Sequence, residues 1–190
     1  MASQISISSN ALIMLGAQPI SDVNENNDRA RIAAALFPEV RDQLLRSHFW
    51  NCCTKRVSIA ADSDAPAYDY AYQYTLPSDF IRVVVCGEYG MESDHRVEGR
   101  KILCDDTPLN LRYIFRNEDV GTWDALLVHA MTLSMAARMA YAITQSASLE
   151  QVRFQELQQL LKQARAVDGQ DDPPETMGDF RLLAVRSGSV

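Results

Sequence analysis

The chain contains one long, uninterrupted apolar stretch, from Trp123 to Thr144. Between Ala125 and Ile143 the only side chain that is always charged at neutral pH is Arg138, and neither proline nor glycine occurs. Alanine, leucine and methionine favour helix, so we predict one helix, with Thr122 as its N-cap and Asp124 in its first turn. A helix that is apolar on nearly every side must be covered on nearly every side. Either the rest of the chain covers it, or copies of the chain pack against each other.

The same stretch is long enough to cross a membrane, which takes roughly 20 residues. Four of its side chains, Arg138, His129, Thr132 and Ser134, would be costly at membrane depth. No cluster of lysine or arginine flanks the stretch to set an orientation. We therefore favour a helix buried in protein and expect no membrane partner.

Composition and charge exclude some classes of function. A chain of 190 residues fits one domain, and its 47% hydrophobic and 23% charged residues are ordinary for a globular protein. The net charge of −7 disfavours a DNA-binding module, which needs an excess of basic residues. Four cysteines and three histidines show no metal-ligand spacing, so we expect no metal, no cofactor and no disulfide framework. The N-terminus lacks the features of a secretion signal.

Apolar periodicity predicts helices at about 4–15, 28–48, 123–144 and 149–166. Gly16 and Pro19 follow the first helix, as is typical of a helix end. Pro38 lies inside the second, which predicts a kink or short break near Phe37. Ser148 and Gln151 fit a capping box for the fourth, which we expect to pack antiparallel on the third.

The middle of the chain, about 54–116, has the alternation of apolar and polar residues that indicates strands. We predict one small antiparallel sheet there, with Gly99 and Arg100 in a turn. The predicted fold class is mainly α: a helical, bundle-like body with this small sheet inserted between helices two and three. Residues 1–166 then form one domain, and 167–190 form a C-terminal tail.

The tail changes character along its length. Its first part is acidic and contains Pro173 and Pro174, which exclude a helix there. Its last part, Phe180 to Arg186, is apolar and basic. Disordered ends seldom carry such a segment, so we predict that it docks on this chain or on a neighbour.

No arrangement of residues typical of catalysis occurs in the sequence. There is no phosphate-binding or dinucleotide-binding glycine motif, no nucleophile elbow and no H-E-x-x-H zinc motif. His48 lies four residues before Cys52 and could act as a base for a thiol nucleophile. Packed thiols beside a histidine at a helix end are the simpler interpretation, so we predict that the chain is not an enzyme.

Three passages resemble the tail tubular protein A family of short-tailed bacteriophages: ALIMLGAQPISDV, RARIAAALFPEVRDQLLRSHFWNCCTKR and YQYTLPSDFIRVV. Members begin with a helix that ends in LG and a proline-containing turn, followed by an arginine-rich helix that leads to an HxW passage. A sheet region with a tyrosine-rich strand and an LPxDF-like turn comes next, and two later helices match Trp123 to Ala166. The similarity covers about Ile5 to Ala166. Each motif is short, so their order and spacing carry the resemblance.

The resemblance implies a head-to-tail adaptor in the neck of a virion, made in the host cytoplasm. Members form a dodecameric ring between the portal protein and the tubular nozzle protein, and in some members the ring also seats tail fibres. The genomic DNA passes through its lumen without specific binding. A closed ring would also cover an apolar helix, and an acidic chain suits a conduit that must not hold DNA tightly.

On this interpretation we assign two sets of candidate residues. The predicted subunit interface, on the second and third helices, comprises Arg31, Arg41, Arg46 and Arg138. The predicted portal-docking residues lie in the tail and comprise Phe180, Arg181, Leu182, Leu183 and Arg186.

Two alternatives remain open at this point. One is another neck connector, a stopper or completion protein, which would bind only after the adaptor. The other is a small ligand-binding or enzymatic domain with a pocket formed by the tyrosines of the sheet region, Tyr68, Tyr70, Tyr72 and Tyr74. Such tyrosines more often form one wall of a small core.

Overall fold

The computed structural model describes residues 2–88 and 91–171. These residues divide into two compact units. The helical unit comprises Met1–Thr54 and Phe115–Gly169, and the sheet unit contains Lys55–Ile114. In chain order, the sheet unit is thus inserted between the two halves of the helical unit.

The prediction of a mainly α fold is wrong. Helices account for 48% of the residues and strands for 22%, so the chain is a mixed α+β protein. The described part of the middle region forms two antiparallel sheets instead of the single small sheet predicted. One missed strand, His95–Glu98, has mostly exposed polar side chains and pairs through its backbone. An edge strand of this kind lacks the apolar alternation by which strands are found in sequence.

Four helices form the described part of the helical unit: α1 (Gln4–Met14), α2 (Asp28–Ser47), α3 (Ala125–Thr144) and α4 (Ala147–Asp171). The Ser3 hydroxyl caps α1 by accepting from the Ser6 amide at 3.1 Å. The Asn27 side chain caps α2 by accepting from the Ala30 amide at 2.8 Å. Between them, Gly16 adopts a φ of 72°, the left-handed conformation that glycine tolerates best.

The second helix continues through its internal proline. A single helix runs from Asp28 to Ser47, so the break considered near Phe37 does not occur. Phe37 and Val40, on either side of Pro38, are buried at 4% and 3% exposure. Burial of this face stabilises α2 by more than the proline disturbs it, because tertiary packing overrides local propensity.

The third helix begins later than predicted. Its N-cap is Asp124, whose carboxylate accepts from the Leu127 amide at 2.7 Å. Thr122, the predicted N-cap, instead ends a short 3₁₀ turn and donates its hydroxyl to the Asp119 carbonyl at 2.8 Å. Trp123 keeps an extended backbone between the two, with its indole nitrogen 3.3 Å from the Asn117 carbonyl oxygen. Because Trp123 is held in this extended conformation, α3 begins only at Ala125.

The chain itself covers most of α3. The seven consecutive residues Met131–Ala137 are all buried, and α1 and α2 both pack on this helix. Among the described residues, α3 is the one helix with the length and composition to cross a membrane, and 61% of its apolar window is buried inside the chain. Most of the apolar surface of α3 is therefore buried by other parts of the same chain, which is the first of the two possibilities considered from the sequence.

The fourth helix is capped by a different serine and ends later than predicted. The Ser146 hydroxyl, not that of Ser148, accepts from the Leu149 amide at 3.3 Å. The helix then continues to Asp171, beyond the predicted end at about 166. A hydrogen bond of 2.7 Å from the Arg153 guanidinium to the Met14 carbonyl ties α4 to the end of α1.

The sheet unit contains seven strands in its described part: β1 (Thr54–Ile59), β2 (Tyr72–Thr75), β3 (Phe80–Glu88), β4 (Met91–Glu92), β5 (His95–Glu98), β6 (Lys101–Cys104) and β7 (Leu109–Phe115). One sheet has the order β1-β7-β3-β4 and the other β2-β6-β5. In the second sheet, Ile102 of β6 lies opposite Tyr74 on one side and Val97 on the other. Gly99, with a φ of 59°, turns β5 into β6 as predicted.

Candidate interface surfaces

Three of the four predicted interface arginines are exposed, and one is buried. Arg31 is exposed and pairs with Asp28, one turn before it on α2. Arg138 is exposed on α3, and its guanidinium donates to the Gln43 side chain at 2.6 Å. Arg46 is also exposed, near the end of α2, and its side chain is not without a partner. These three therefore lie on the surface of the helical unit.

The fourth, Arg41, belongs to an ion-pair network inside the helical unit. It is 9% exposed, with Nε 2.8 Å from Asp42 and Nη1 3.2 Å from Glu118. Asp42 in turn accepts from Arg116 Nε at 2.8 Å. The network joins α2 to the residues that follow β7. Arg41 thus has an internal role, and its sequence position alone did not reveal it.

The predicted portal-docking residues, Phe180, Arg181, Leu182, Leu183 and Arg186, lie outside the described residues. The structure describes the predicted tail only at its start, where α4 includes residues up to Asp171.

A groove of about 780 Å³ lies between α2, α3 and α4 in the helical unit. This volume falls in the range of binding sites for ligands and peptides. We call it the α4 groove. Its apolar lining includes Val40, Leu44, Ala137, Phe154, Leu157 and Leu161.

Charged side chains stand at the borders of the α4 groove. Arg138 lines it from α3 and lies 3.8 Å from Glu39. Glu150 lines it from the first turn of α4 and makes no ion pair with any residue that the structure describes. Phe154 is 53% exposed even though it faces an apolar groove. The groove is therefore an apolar surface with one acidic group available at its edge.

A signal for this groove is present in the sequence of α4. The buried stripe of this helix runs through Leu157, Leu160 and Ala164. Phe154, Leu157 and Leu161 lie at positions i, i+3 and i+7, which mark a second apolar face on the same helix. A second face predicts a second packing partner, which the antiparallel packing predicted for α4 did not include.

A smaller groove of about 390 Å³ lies on one face of the β1-β7-β3-β4 sheet. Asn110 and Arg112 of β7 line it together with the buried Leu111 between them. Arg56 of β1 also lines it, and the buried Nε atom of Arg112 has no hydrogen-bond partner among the described residues. Glu88 stands in the same lining, so the groove carries charges of both signs.

The adjacent thiols of Cys52 and Cys53 lie beside the N-terminus of α3. Cys52 donates to the Asp124 carboxylate at 3.3 Å, and its sulfur lies 3.8 Å from that of Cys53. The hydrogen bond from Cys53 lowers the pKa of Cys52, and the same bond together with burial raises the pKa of Cys53. His48 packs edge-on against Trp50, with ring centroids 4.8 Å apart. Within the described residues, no group of three His, Cys, Asp or Glu side chains could hold a metal ion.

The tyrosines of the sheet region do not share one environment. Tyr74 is fully buried, and its hydroxyl donates to the Asp106 carbonyl. Tyr68 is 77% exposed, and Tyr70 reaches Asp94 at 3.4 Å. Tyr72 is half-buried and lies opposite Cys104. Tyr74 is thus a core residue, whereas Tyr68 lies on the surface.

No family model matches the chain, and no curated protein matches it.

Proposed function

We propose that the chain is a structural head-to-tail adaptor of a short-tailed bacteriophage, similar to tail tubular protein A. Copies of the chain form a ring, a dodecamer by the resemblance, between the portal protein and the tail nozzle. The genome passes through the lumen, and the outside of the ring is available to tail fibres. What supports this proposal is the order of three sequence passages and the way each is used in the fold.

The first passage supplies the end of α1 and the turn that follows it. Gly16, in the passage's LG, takes the left-handed conformation that ends the helix. Ile20, just after Pro19, is 4% exposed, and its amide and carbonyl both bond to the Ser9 hydroxyl. The turn is therefore fixed against α1.

The second passage supplies α2 and the anchor at its end. Trp50 is fully buried, and its indole nitrogen donates to the Leu44 carbonyl at 3.1 Å. His48 packs edge-on against the same ring. The HxW passage thus holds the point at which the chain leaves the helical unit.

The third passage supplies β2, the Pro77-Ser78-Asp79 turn and β3. Asp79 accepts from Lys55 of β1 at 2.7 Å and from the Tyr113 hydroxyl of β7 at 2.9 Å. Phe80 stacks on Tyr113, with ring centroids 5.8 Å apart. The LPxDF-like turn therefore joins three strands of one sheet, which gives a physical reason for its Asp and Phe.

The burial of α3 changes where subunit contacts are expected. Because α1 and α2 cover this helix, its apolar character no longer calls for neighbouring subunits. Subunit contacts can instead use apolar surfaces that stay exposed on the helical unit, which include the α4 groove with Phe154 and the exposed Ile13 and Tyr141.

The test of the proposal is the mass of the purified chain, measured with and without the cognate portal protein. We expect a ring of many subunits on the portal. A chain that stays a single subunit when portal is supplied, or that turns over a substrate, contradicts the proposal. Reconstitution with portal alone also separates an adaptor from a stopper, because a stopper needs the adaptor to be in place first.

A truncation tests the predicted portal-docking tail. Because α4 extends to Asp171, the chain should be cut after that residue to keep the helix whole. We expect loss of portal binding in co-sedimentation and an unchanged circular dichroism spectrum. Removal of residues 187–190 alone is the matched control and should retain binding. If the longer truncation binds portal with unchanged affinity, the tail is not the docking element.

A further inference from the structure

Two arginines of the sheet unit line one groove and are not neutralised by the chain. We call the groove of about 390 Å³ on the β1-β7-β3-β4 sheet the sheet groove; its lining includes Arg56 of β1 and Arg112 of β7. Neither guanidinium makes an ion pair with a residue that the structure describes. β1 and β7 are neighbours in the sheet, and neighbouring strands lie about 5 Å apart. One small ligand in the sheet groove can therefore contact both arginines.

The Nε–H group of Arg112 indicates the kind of ligand. Its Nε atom is buried, and no acceptor among the described residues bonds to it. Folded proteins pair nearly all buried donors with a protein group, a water or an ion, because an unpaired donor is costly. This donor belongs to a charged guanidinium, and charge-assisted hydrogen bonds to an anion are the strongest that such a group makes. The sheet groove therefore favours an anionic acceptor.

The other lining residues favour a phosphate group over smaller anions. The Ser58 hydroxyl and the Asn110 side-chain amide line the same groove and add neutral donors to the two guanidinium groups. A phosphate group presents several strong acceptor oxygens and matches the planar fork of arginine through paired N–H···O bonds. The apolar Val57 and Val85 complete the lining, and an apolar surrounding strengthens such hydrogen bonds.

The acidic side chain in the lining, Glu88, lies toward one end of the sheet groove. Together with Asn110 it also lines a second groove of about 420 Å³, which Asp106 borders and which neither Arg56 nor Arg112 lines. Glu88 therefore stands at the boundary between the two grooves. It makes no ion pair with either arginine, so the basic part of the sheet groove stays available to an anion.

We propose that the sheet groove binds a phosphate group, with the guanidinium groups of Arg56 and Arg112 on its oxygens and with the Nε–H of Arg112 as one of the donors. A free phosphate ion and a phosphodiester of nucleic acid share this chemistry. The site goes beyond the adaptor function and does not rest on it.

Nitrogen–proton NMR spectra of the full-length chain record arginine Nε–H groups directly and test the site. On titration with inorganic phosphate, at an ionic strength held constant with sodium chloride, we expect the Arg112 Nε–H signal to move downfield and to saturate. The Arg56 signal should move with the same midpoint. An Arg112 signal that phosphate leaves unchanged, or that drifts without saturation, overturns the proposal.

Acetate tests the assignment to phosphate. It offers two oxygens and a single charge, so we expect it to bind at least fivefold more weakly than inorganic phosphate in the same titration. Acetate that binds as tightly as phosphate overturns the phosphate assignment.

Charge variants, titrated with inorganic phosphate in a calorimeter, test the two arginines. Arg56→Gln, at an exposed position, should weaken binding at least fivefold. Arg112→Lys should do the same, because lysine keeps the charge but lacks the Nε–H and the planar fork. Arg96→Gln is the matched control and should leave the affinity unchanged, since Arg96 is exposed on β5 in the other sheet.

The exposed Arg56 also guards against a variant that does not fold. If Arg112→Lys fails to fold, Arg56→Gln still decides, and an unchanged affinity in Arg56→Gln overturns the proposal. Glu88→Gln should tighten binding at least twofold, because it removes a like charge from the end of the groove. Weaker binding in Glu88→Gln contradicts an anionic ligand.

A short oligothymidylate distinguishes the two sources of phosphate. Binding tighter than that of inorganic phosphate, with the same loss in Arg56→Gln, assigns the site to the phosphodiester of nucleic acid. An oligothymidylate that leaves the Arg112 Nε–H signal unchanged, while inorganic phosphate moves it, assigns the site to free phosphate. Either result supports the site. Failure to form a ring on the portal leaves these titrations unchanged, so the two proposals fail independently.

Discussion

Arg41 shows how a basic residue on an amphipathic helix can serve the interior instead of a partner. Its side chain is buried between Asp42 and Glu118, and Asp42 also holds Arg116. A buried guanidinium needs such partners because an unpaired charge in the interior is costly.

We therefore expect Asp42→Ala to lower the free energy of unfolding by about 1–3 kcal/mol, the usual loss when a hydrogen-bond partner of a buried charged group is removed. Urea unfolding followed by circular dichroism measures it. Glu39→Ala is the control on the same helix, because its contacts with Gln43 and Arg138 are exposed. That change should cost less than about 1 kcal/mol. Equal losses in the two variants contradict the internal role of the network.

The hydrogen bond between Tyr113 and Asp79 makes the sheet unit sensitive to alkali. Burial and the Asp79 carboxylate raise the pKa of Tyr113 to about 12. Burial also raises the pKa of Asp79, but hydrogen bonds from Lys55 and Tyr113 lower it by more, so it lies below its ordinary value. Because the pKa of Tyr113 is higher in the folded chain than in the unfolded chain, the neutral tyrosine stabilises the fold. This contribution is complete below about pH 10, the pKa of tyrosine in the unfolded chain. It is lost as the pH rises through about 12, the pKa in the folded chain. The lowered aspartate pKa adds stability above about pH 3.9 that is lost in acid.

We predict that Tyr113→Phe, which keeps the ring stacked on Phe80, reduces the loss of unfolding free energy between about pH 10 and the Tyr113 pKa of about 12. Denaturant unfolding of both proteins across this range measures the difference. In a spectrophotometric titration of this variant, the part of the tyrosinate absorbance that appears at the highest pH should also be missing. Tyr68→Phe, at a 77% exposed position, should leave the pH dependence of stability unchanged. A Tyr113→Phe protein with the same alkaline loss would show that Tyr113 does not contribute to it.

The elements of the fold depend on a few capping residues, of which Asp124 is the most informative. It accepts from the Leu127 amide at the start of α3 and from the Cys52 thiol. We expect Asp124→Ala to lower the melting temperature through a loss of about 1 kcal/mol. Asp124→Asn should retain most of the stability, since asparagine is an equally good N-cap. If alanine and asparagine behave alike, the cap does not fix this end of the helix.

Some elements could be predicted from the sequence because their signals are local. Gly16 and Asn27 stop and start helices through their own backbone and side chain, and alternation at Tyr72 and Tyr74 marks β2. Other elements depend on distant contacts. Trp123 shifts the start of α3 because its ring binds the Asn117 carbonyl. β5, with its polar side chains, exists because β6 pairs with it.

The candidate surfaces were less predictable than the elements for the same reason. The α4 groove is formed by three helices that are distant in sequence. The apolar stripe of α4 was visible in the sequence, but which of its residues stay open depends on the positions of α2 and α3. Arg41 likewise differs from Arg31 only in what surrounds it in the folded unit.

At the scale of the whole molecule, the burial of α3 by α1 and α2 predicts that the free chain does not need a partner to fold. We expect a melting temperature that is independent of protein concentration over a hundredfold range, because only a fold stabilised by association melts higher when concentrated. Scanning calorimetry or fluorescence measures it, with the mass determined in the same samples. A melting temperature that rises with concentration would mean that association contributes to the stability of the fold.

The neighbouring positions of β1 and β7 in one sheet bring together the two points where the backbone enters and leaves the sheet unit. A segment whose ends lie side by side can be exchanged as a cassette without stretching the backbone on either side. We therefore expect that the whole stretch between Thr54 and Phe115 can be replaced by another inserted unit while α1 to α4 keep their mutual packing.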